Sequence, residues 1–204
     1  MIPIQFIIQA SNYESCADLA QHALQAGCKW IQLQTNDMNP NDADNAARQL
    51  LSLCHDHQAT FILGSDIERC KAIKADGVFL TDNDTPANEI REVLGHEFII
   101  GATAHTFEQI KLCKRMSADF VQMPLVGDVT NIATIKQQMA EAELRMPICA
   151  TTTSTEATHI IALLDAGADG IALSSATLTP AQVEDTLQQL LHIDEWRRYV
   201  PPLT

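Results

Sequence analysis

Seven short polar stretches carry the side chains of this chain best suited to meet a ligand. They are residues 32–36 (Gln-Leu-Gln-Thr-Asn), 64–66 (Gly-Ser-Asp), 81–84 (Thr-Asp-Asn-Asp), 101–106 (with Thr103 and His105), 124–131 (with Asp128 and Thr130), 151–154 (Thr-Thr-Thr-Ser) and the pair Ser174-Ser175. None contains a lysine or an arginine. Gln32, Thr103, Thr130, Ser174 and Ser175 offer neutral donors and acceptors for a substrate. Asp66, Asp82, Asp84 and Asp128 offer hard oxygen ligands for a divalent ion. Together these carboxylates describe an acidic mouth that favours a cationic or neutral ligand, or a metal. Several of the same residues also have purely structural uses. Thr103 can cap a following helix, His105 can serve as a hydrogen-bonder at a helix start, and Ser174-Ser175 can either cap a short helix or bind an anion through its N–H groups. His55-x-His57 reads as a surface pair, not a metal site.

Each stretch follows an apolar strand, and a repeated phrase shows how the strands are arranged. Its clearest copy is Ala166-Gly167-Ala168-Asp169-Gly170-Ile171-Ala172-Leu173. Others begin at Lys74-Ala75-Asp76, Ser117-Ala118-Asp119 and Gly27-Cys28-Lys29. Aligned on Lys29, Asp76, Asp119 and Asp169, the copies are spaced by 47, 43 and 50 residues. A βα unit takes roughly 20–25 residues, so each interval spans two units and the phrase marks strands 2, 4, 6 and 8 of an eight-strand barrel.

The pattern between the copies agrees. Strands are predicted at 4–9, 30–34, 60–63, 78–80, 97–101, 120–123, 147–150 and 171–173, with helical periodicity between them. Ser11-Asn12, Asn39-Pro40, Thr85-Pro86 and Thr179-Pro180 supply start signals, and Gly27 and Gly167 supply stops. Strict alternation implies a parallel sheet, and eight units in one chain imply a single (β/α)8 TIM barrel over residues 1–204, with a C-terminal tail from about 193. No GxGxxG follows the first strand, which argues against an open nucleotide-binding sheet. The stretches named above then fall at the C-terminal ends of the strands, where such barrels carry their sites.

Composition narrows the classes. A net charge of −13 leaves no basic footprint for nucleic acid or an anionic membrane surface. Six cysteines at irregular gaps, with no CxxC pair, read as reduced structural thiols of a cytoplasmic protein. No apolar run reaches the ~18 residues of a membrane span. A homo-oligomer or a partner enzyme is left open, with Trp196 of the tail as one possible contact.

The segments GCKWIQLQ, ADGVFLTDND, IIGATAHT, MPICATTTS and AGADGIALSSA resemble the thiamine phosphate synthase family, from Gly27 to about Leu178 and in the same order. The resemblance implies a barrel that couples a pyrimidine carrying pyrophosphate to a thiazole phosphate, with Mg²⁺ on the leaving group. A related branch contains a thiazole tautomerase, but no histidine follows strand 6 here. Carried over by position, Gln32 matches the family's glutamine after strand 2, while Gln34 and Asn36 stand at its Arg and Lys. Gly64-Ser65 stand at its Asn-Asp, whose aspartate helps to hold the metal. Asp84 matches its second metal-site aspartate, and Thr103 a substrate-contacting serine. Thr130 matches one threonine of a Thr-x-Thr-Lys loop whose lysine is Asn131 here. Thr152-Thr153 stand at a Gly-Gly phosphate cradle, and Ser174-Ser175 match a hydroxyl pair.

Pyrophosphate departure is chiefly an electrostatic problem, so these replacements predict weak or absent synthase turnover with a ligand related to thiamine. The alternatives are a non-catalytic ligand-binding or partner subunit, and a different enzyme on the same barrel.

Overall fold

A computed structural model describes residues 3–81, 86–124 and 129–193. Along them strands and helices alternate: β1 (Ile4–Gln9), α1 (Tyr13–Gln25), β2 (Trp30–Gln34), α2 (Pro40–Asp56), β3 (Thr60–Gly64), α3 (Ile67–Ile73), β4 (Gly77–Leu80) and α4 (Ala87–Leu94). The second half continues with β5 (Ile99–Thr103), α5 (Phe107–Arg115), β6 (Phe120–Pro124), α6 (Thr130–Glu141), β7 (Ile148–Thr152), α7 (Ala157–Asp165), β8 (Gly170–Ser174), a 3-10 turn at Ser175–Thr177 and α8 (Pro180–Leu191). Every strand pairs in parallel with its sequence neighbour, and β1 also pairs with β8 through Ile4↔Ile171 and Phe6↔Leu173. The sheet is therefore the closed (β/α)8 barrel that the repeat implied. The tail beyond Ile193, and with it Trp196, lies outside the described residues.

Strand β5 starts two residues later than predicted. Gly95 leaves α4 at φ +102°, and residues 96–98 are spent on the turn. Arg91 then takes the Phe98 carbonyl, so pairing begins only where the Ile99 N–H meets the Asp76 carbonyl at 2.8 Å.

Strand parity sorts the apolar residues into two layers. Ile31, Leu33, Phe61, Leu63, Ile100, Val121, Met123, Ile171 and Leu173 face outward and bury against the helices. Ile7, Ile62, Phe79, Phe120, Cys149 and Ala172 fill the barrel interior, with Trp30 edge-on to Phe120 at 4.8 Å between centroids. The interior is thus packed and not a pore, as expected of this fold.

The repeated phrase has a physical content at the N-terminal end of the barrel. Residues Gly27, Lys74, Ser117 and Gly167 occupy equivalent positions, and all have positive φ, at 97°, 57°, 65° and 103°. The next residue bonds back five positions each time: Cys28 to Ala23, Ala75 to Cys70, Ala118 to Cys113 and Ala168 to Leu163, at 3.0–3.1 Å. That is the left-handed helix stop, and Gln58 after α2 and Glu143 after α6 use it too, with Ala59 bonding Cys54 and Leu144 bonding Met139 at 2.8 Å. The following aspartate then clasps the preceding strand. Asp76 accepts the Phe61 N–H at 2.7 Å, Asp119 the Ile100 N–H at 2.7 Å and Asp169 the Ile148 N–H at 2.8 Å. Their own N–H groups return bonds to the Phe61, Ile100 and Ile148 carbonyls. Each carboxylate also meets a basic side chain: His55 at 3.1 Å, Arg91 at 2.7 Å and Lys136 at 2.8 Å. His55 is therefore a surface partner of Asp76 at the end opposite the mouth.

Candidate functional site

The C-terminal end of the barrel is built from different parts. Gln32 lies at the middle of β2, fully buried, where the β1–β2 and β2–β3 registers set it between Ile7 and Ile62. It points inward and joins two glutamines that the sequence reading passed over. Gln5 Nε2 donates to Gln32 Oε1 at 3.0 Å, and Gln122 Nε2 donates to Gln32 Oε1 and to Gln5 Oε1, both at 2.7 Å. The three come from β1, β2 and β6 and are at most 4% exposed. A signal for them existed: each is a lone polar residue at inward parity inside an apolar strand. The Gln32 Nε2 group is buried and has no hydrogen-bond partner. Leaving such a donor unsatisfied costs about 1–3 kcal/mol, so it marks a place where a polar atom is wanted.

One layer nearer the mouth, Gln34 lies over Gly64. A Cβ on Gly64 would come within 2.0 Å of Gln34 Oε1, so glycine there is what lets the amide lie flat across β3. Ser65 follows with φ +53°, and its N–H bonds the Phe79 carbonyl at 2.8 Å. Asp66 is committed to structure. It caps α3 by accepting the Arg69 N–H at 3.0 Å, and it pairs with the Arg69 guanidinium. Arg69 is the single Lys or Arg in the first turn of any described helix, and Asp44 Oδ1 stands 3.5 Å from its Nε. A hydrogen bond from Arg48, with Arg69 contributing, holds the Asp44 carboxyl below its usual range. This first-turn cation is thus paired with two carboxylates.

Ser174 and Ser175 close the seam between the first and last strands. The Gln9 N–H donates to Ser175 Oγ at 3.0 Å; the Ser174 hydroxyl donates to Gln9 Oε1 at 3.4 Å and accepts from the Ala176 N–H at 3.2 Å. The Ala176 N–H, second in the 3-10 turn, is therefore already taken by the Ser174 cap. After β7, Thr152 Oγ1 accepts the Ser154 N–H at 3.0 Å, and the Thr153 carbonyl accepts the Thr177 hydroxyl at 3.3 Å. Thr151 Oγ1 is buried and has no partner.

Thr103 ends β5 opposite Gln122, and its hydroxyl reaches the Leu80 carbonyl at 3.4 Å. It does not cap α5; Thr106 does, accepting the Gln109 N–H at 3.3 Å. Gln109 in turn accepts the His105 N–H at 2.6 Å. Thr103 also borders a pocket of about 250 Å³ between α4 and α5, with Leu80, Ala87, Leu112 and Met116. Thr130 opens α6 and is exposed, its carbonyl bonded by Thr134. Asp82, Asp84 and Asp128 lie outside the described residues. The structure thus brings Gln32, Thr103 and the seam serines to the upper barrel, while Thr130 stands at its edge.

A bound Mg²⁺ finds little among the described residues. No group of three His, Cys, Asp or Glu side chains among them could hold a metal, and Asp66 is engaged by Arg69. All six cysteines are free, and five are buried. Burial pushes Cys16, Cys54, Cys70 and Cys149 up to about 12 and Cys28 to about 11, so these thiols are inert packing groups. Among the described residues, no helix is long and apolar enough to cross a membrane.

Known proteins share both sequence and architecture with this chain. Residues 4–177 match the sequence profile described as thiamine monophosphate synthase. A thiamine-phosphate synthase of Bacteroides fragilis is 37% identical, covering 95% of this chain and 100% of its own. One from Bacteroides thetaiotaomicron is 32% identical over 98% of this chain and 100% of its own. The solved thiamine phosphate pyrophosphorylase of Pyrococcus furiosus superposes with a TM-score of 0.81 at 20% identity, covering 96% of each chain, a likeness of fold.

Proposed function

Since the chain belongs to the thiamine monophosphate synthase family, we propose that it is a thiamine-related barrel that keeps the family's scaffold but drives pyrophosphate departure weakly or not at all. The observation that carries this reading is the charge of the mouth. No Lys or Arg occurs in the loops following the eight strands, and Arg69, in the first turn of α3, is held by Asp44 and Asp66. Gln34, Asn36 and Asn131 are neutral where the resemblance implies cations. A cation at ~4 Å from a developing charge is worth roughly 4 kcal/mol at an effective dielectric of 20, before desolvation. Half of three such terms is about 6 kcal/mol, or some four powers of ten in rate at ~1.4 kcal/mol each.

The remaining groups suit a neutral or cationic ligand. Gln32 supplies amide hydrogens, and Thr103, Thr130, Ser174 and Ser175 supply hydroxyls or frame the cavity. Mg²⁺, if used, rests on Asp84 with Asp82 and on the ligand's own phosphate, because Asp66 is spent on Arg69. Calorimetric titration tests the reading. Thiamine, a cation, is expected to bind at least as tightly as the pyrophosphorylated pyrimidine, with or without Mg²⁺. Clear preference for the pyrophosphate compound would sink it. Binding without turnover would make the protein a ligand-binding barrel.

A further inference from the structure

A pocket of about 380 Å³ opens at the N-terminal end of the barrel, opposite the mouth. It is lined by the first residues of β1, β2, β3 and β5, which are Ile4, Trp30, Thr60 and Ile99, and by Lys29 and Leu191. We propose that this pocket receives the chain's own C-terminal residues 194–204, anchored by Trp196, which turn back from α8 across this end of the barrel.

The path of the chain is the first argument. Helix α8 starts beyond the 3-10 turn on the mouth side and ends at Leu191, whose Cδ1 lies 3.9 Å from where a Cβ on Gly27 would stand. Leu191 is thus already part of the pocket wall. Two residues on, Ile193 is 1% exposed and packed in the core, so residue 194 departs from a fixed point. Trp196 follows three residues later, within a reach of about 10 Å. The second argument is chemical. The wall is chiefly aliphatic and aromatic, and Trp196, Tyr199, Val200 and Leu203 offer matching side chains. A tryptophan has roughly 150–250 Å² to bury. Trp30 Nε1 is buried without a partner, so an acceptor is wanted at this wall residue, and backbone carbonyls of an arriving segment are acceptors. Charge gives the third. Lys29 stands where the other copies of the repeat carry Asp76, Asp119 and Asp169, and among the described residues it pairs with no carboxylate. Asp194-Glu195 opens the incoming segment with two. Finally, a segment tethered this closely has an effective concentration on the order of 1 mM, which favours it over a second copy at micromolar concentration.

The test reads isoleucine and leucine methyl resonances of the full chain, with Ile4 and Ile99 assigned through Ile4→Val and Ile99→Val. The ring current of a docked Trp196 falls on Ile4, Ile99 and Leu191. Trp196→Ala, and a chain ended at Ile193, should each move these three resonances and leave exposed Leu112 on α5 in place. In the unaltered protein the Trp196 ring should show NOEs to the Ile4 and Ile99 methyls, and the pattern should not change on dilution. Pocket methyls unmoved in Trp196→Ala overturn the proposal, whatever the truncation does. Absence of the NOEs overturns it without any substitution, should a variant fail to fold. A pattern that reverts to that of Trp196→Ala on dilution, with the mass of a dimer before it, assigns the pocket to the tail of a second copy and overturns it equally.

Discussion

The two ends of the barrel are made by opposite strategies. At the N-terminal end one device recurs: a left-handed residue, a small buried residue, then Asp76, Asp119 or Asp169 clasping a strand N–H within 2.7–2.8 Å. Lys29, the fourth aligned residue, has no carboxylate to clasp a strand, and its side chain reaches the His57 carbonyl. The three aspartates each also meet a basic side chain. At the C-terminal end no such device recurs: β1 and β2 end in glutamine, β5 and β7 in threonine, and β3, β4, β6 and β8 in Gly64, Leu80, Pro124 and Ser174. There Gln34 lies over Gly64 and serines close the β1–β8 seam, and deeper in the barrel buried Gln32 Nε2 and Thr151 Oγ1 lack partners. The N-terminal device is repeated, although Trp30 Nε1 at the start of β2 is also buried without a partner; the C-terminal end is assembled from singular parts. That separation lets one end vary while the other stays unchanged.

Alkaline pH should break the contrast most severely, because four of the five buried thiols flank the N-terminal end. Cys28 meets the Ile4 carbonyl, Cys70 meets the Gly77 carbonyl, Asp76 adds to the upward push on Cys54, and Asp169 to that on Cys149. Burial is the main cause of every rise. Their folded values, about 11–12, exceed the ordinary value of 9.0, so the unfolded chain loses protons first. Stability is then flat below pH 9 and falls between pH 9 and about 11–12, by up to ~1.4 kcal/mol per pH unit for each thiol. Urea unfolding at stepped pH measures it; a flat profile to pH 11 would show the thiols to be solvated.

A matched pair of glycines comes next. A Cβ on Gly77, at the start of β4, would lie 2.2 Å from the Ile99 carbonyl oxygen, which is backbone of the neighbouring strand. Gly77→Ala should cost about 3 kcal/mol. The corresponding clash at Gly64 is with the far end of the Gln34 side chain, which can swing aside. Gly64→Ala should cost under ~1 kcal/mol while displacing Gln34. Equal costs in denaturant titrations would erase the distinction between the two ends.

Asp119→Ala removes an acceptor from the Ile100 N–H and the counter-ion of Arg91, whose side chain is only 10% exposed. A loss of about 2 kcal/mol is expected, with thiamine binding by the folded protein unaltered. A change in ligand affinity matching that at Gln32→Ala would mean the ends are coupled. The smallest effect belongs to Arg69→Leu, which frees Asp44 and Asp66. Mg²⁺ binding by calorimetry should strengthen a few-fold at most, and a large gain would place Asp66 in a metal site.

The scaffold was legible because its signals are local and repeated. Gly27 and Gly167 end helices through a backbone requirement, and the aligned aspartates recur at strand spacing. Every strand was placed to within two residues; β5 was shifted by two at both ends, because Gly95 started a turn that an apolar run concealed. The upper barrel was harder to read. Gln32 was found by position, but Gln5 and Gln122 were taken for ordinary strand residues, since a bond across the barrel leaves no trace in sequence spacing. Asp66 looked like a metal ligand because nothing local says that Arg69, three residues on, turns back to it. Ser174 and Ser175 had two readings, and only the position of Gln9 on the far side of the seam shows what their hydroxyls hold.

The central claim is that the mouth lacks the charge to release pyrophosphate. Its most direct test is the rate of thiamine phosphate formation from the pyrophosphorylated pyrimidine and the thiazole phosphate, measured with Mg²⁺ beside the Bacteroides fragilis relative. A rate lower by about four powers of ten, partly recovered by Gln34→Arg with Asn36→Lys, is the predicted result. A wild-type rate within tenfold of the relative would contradict it.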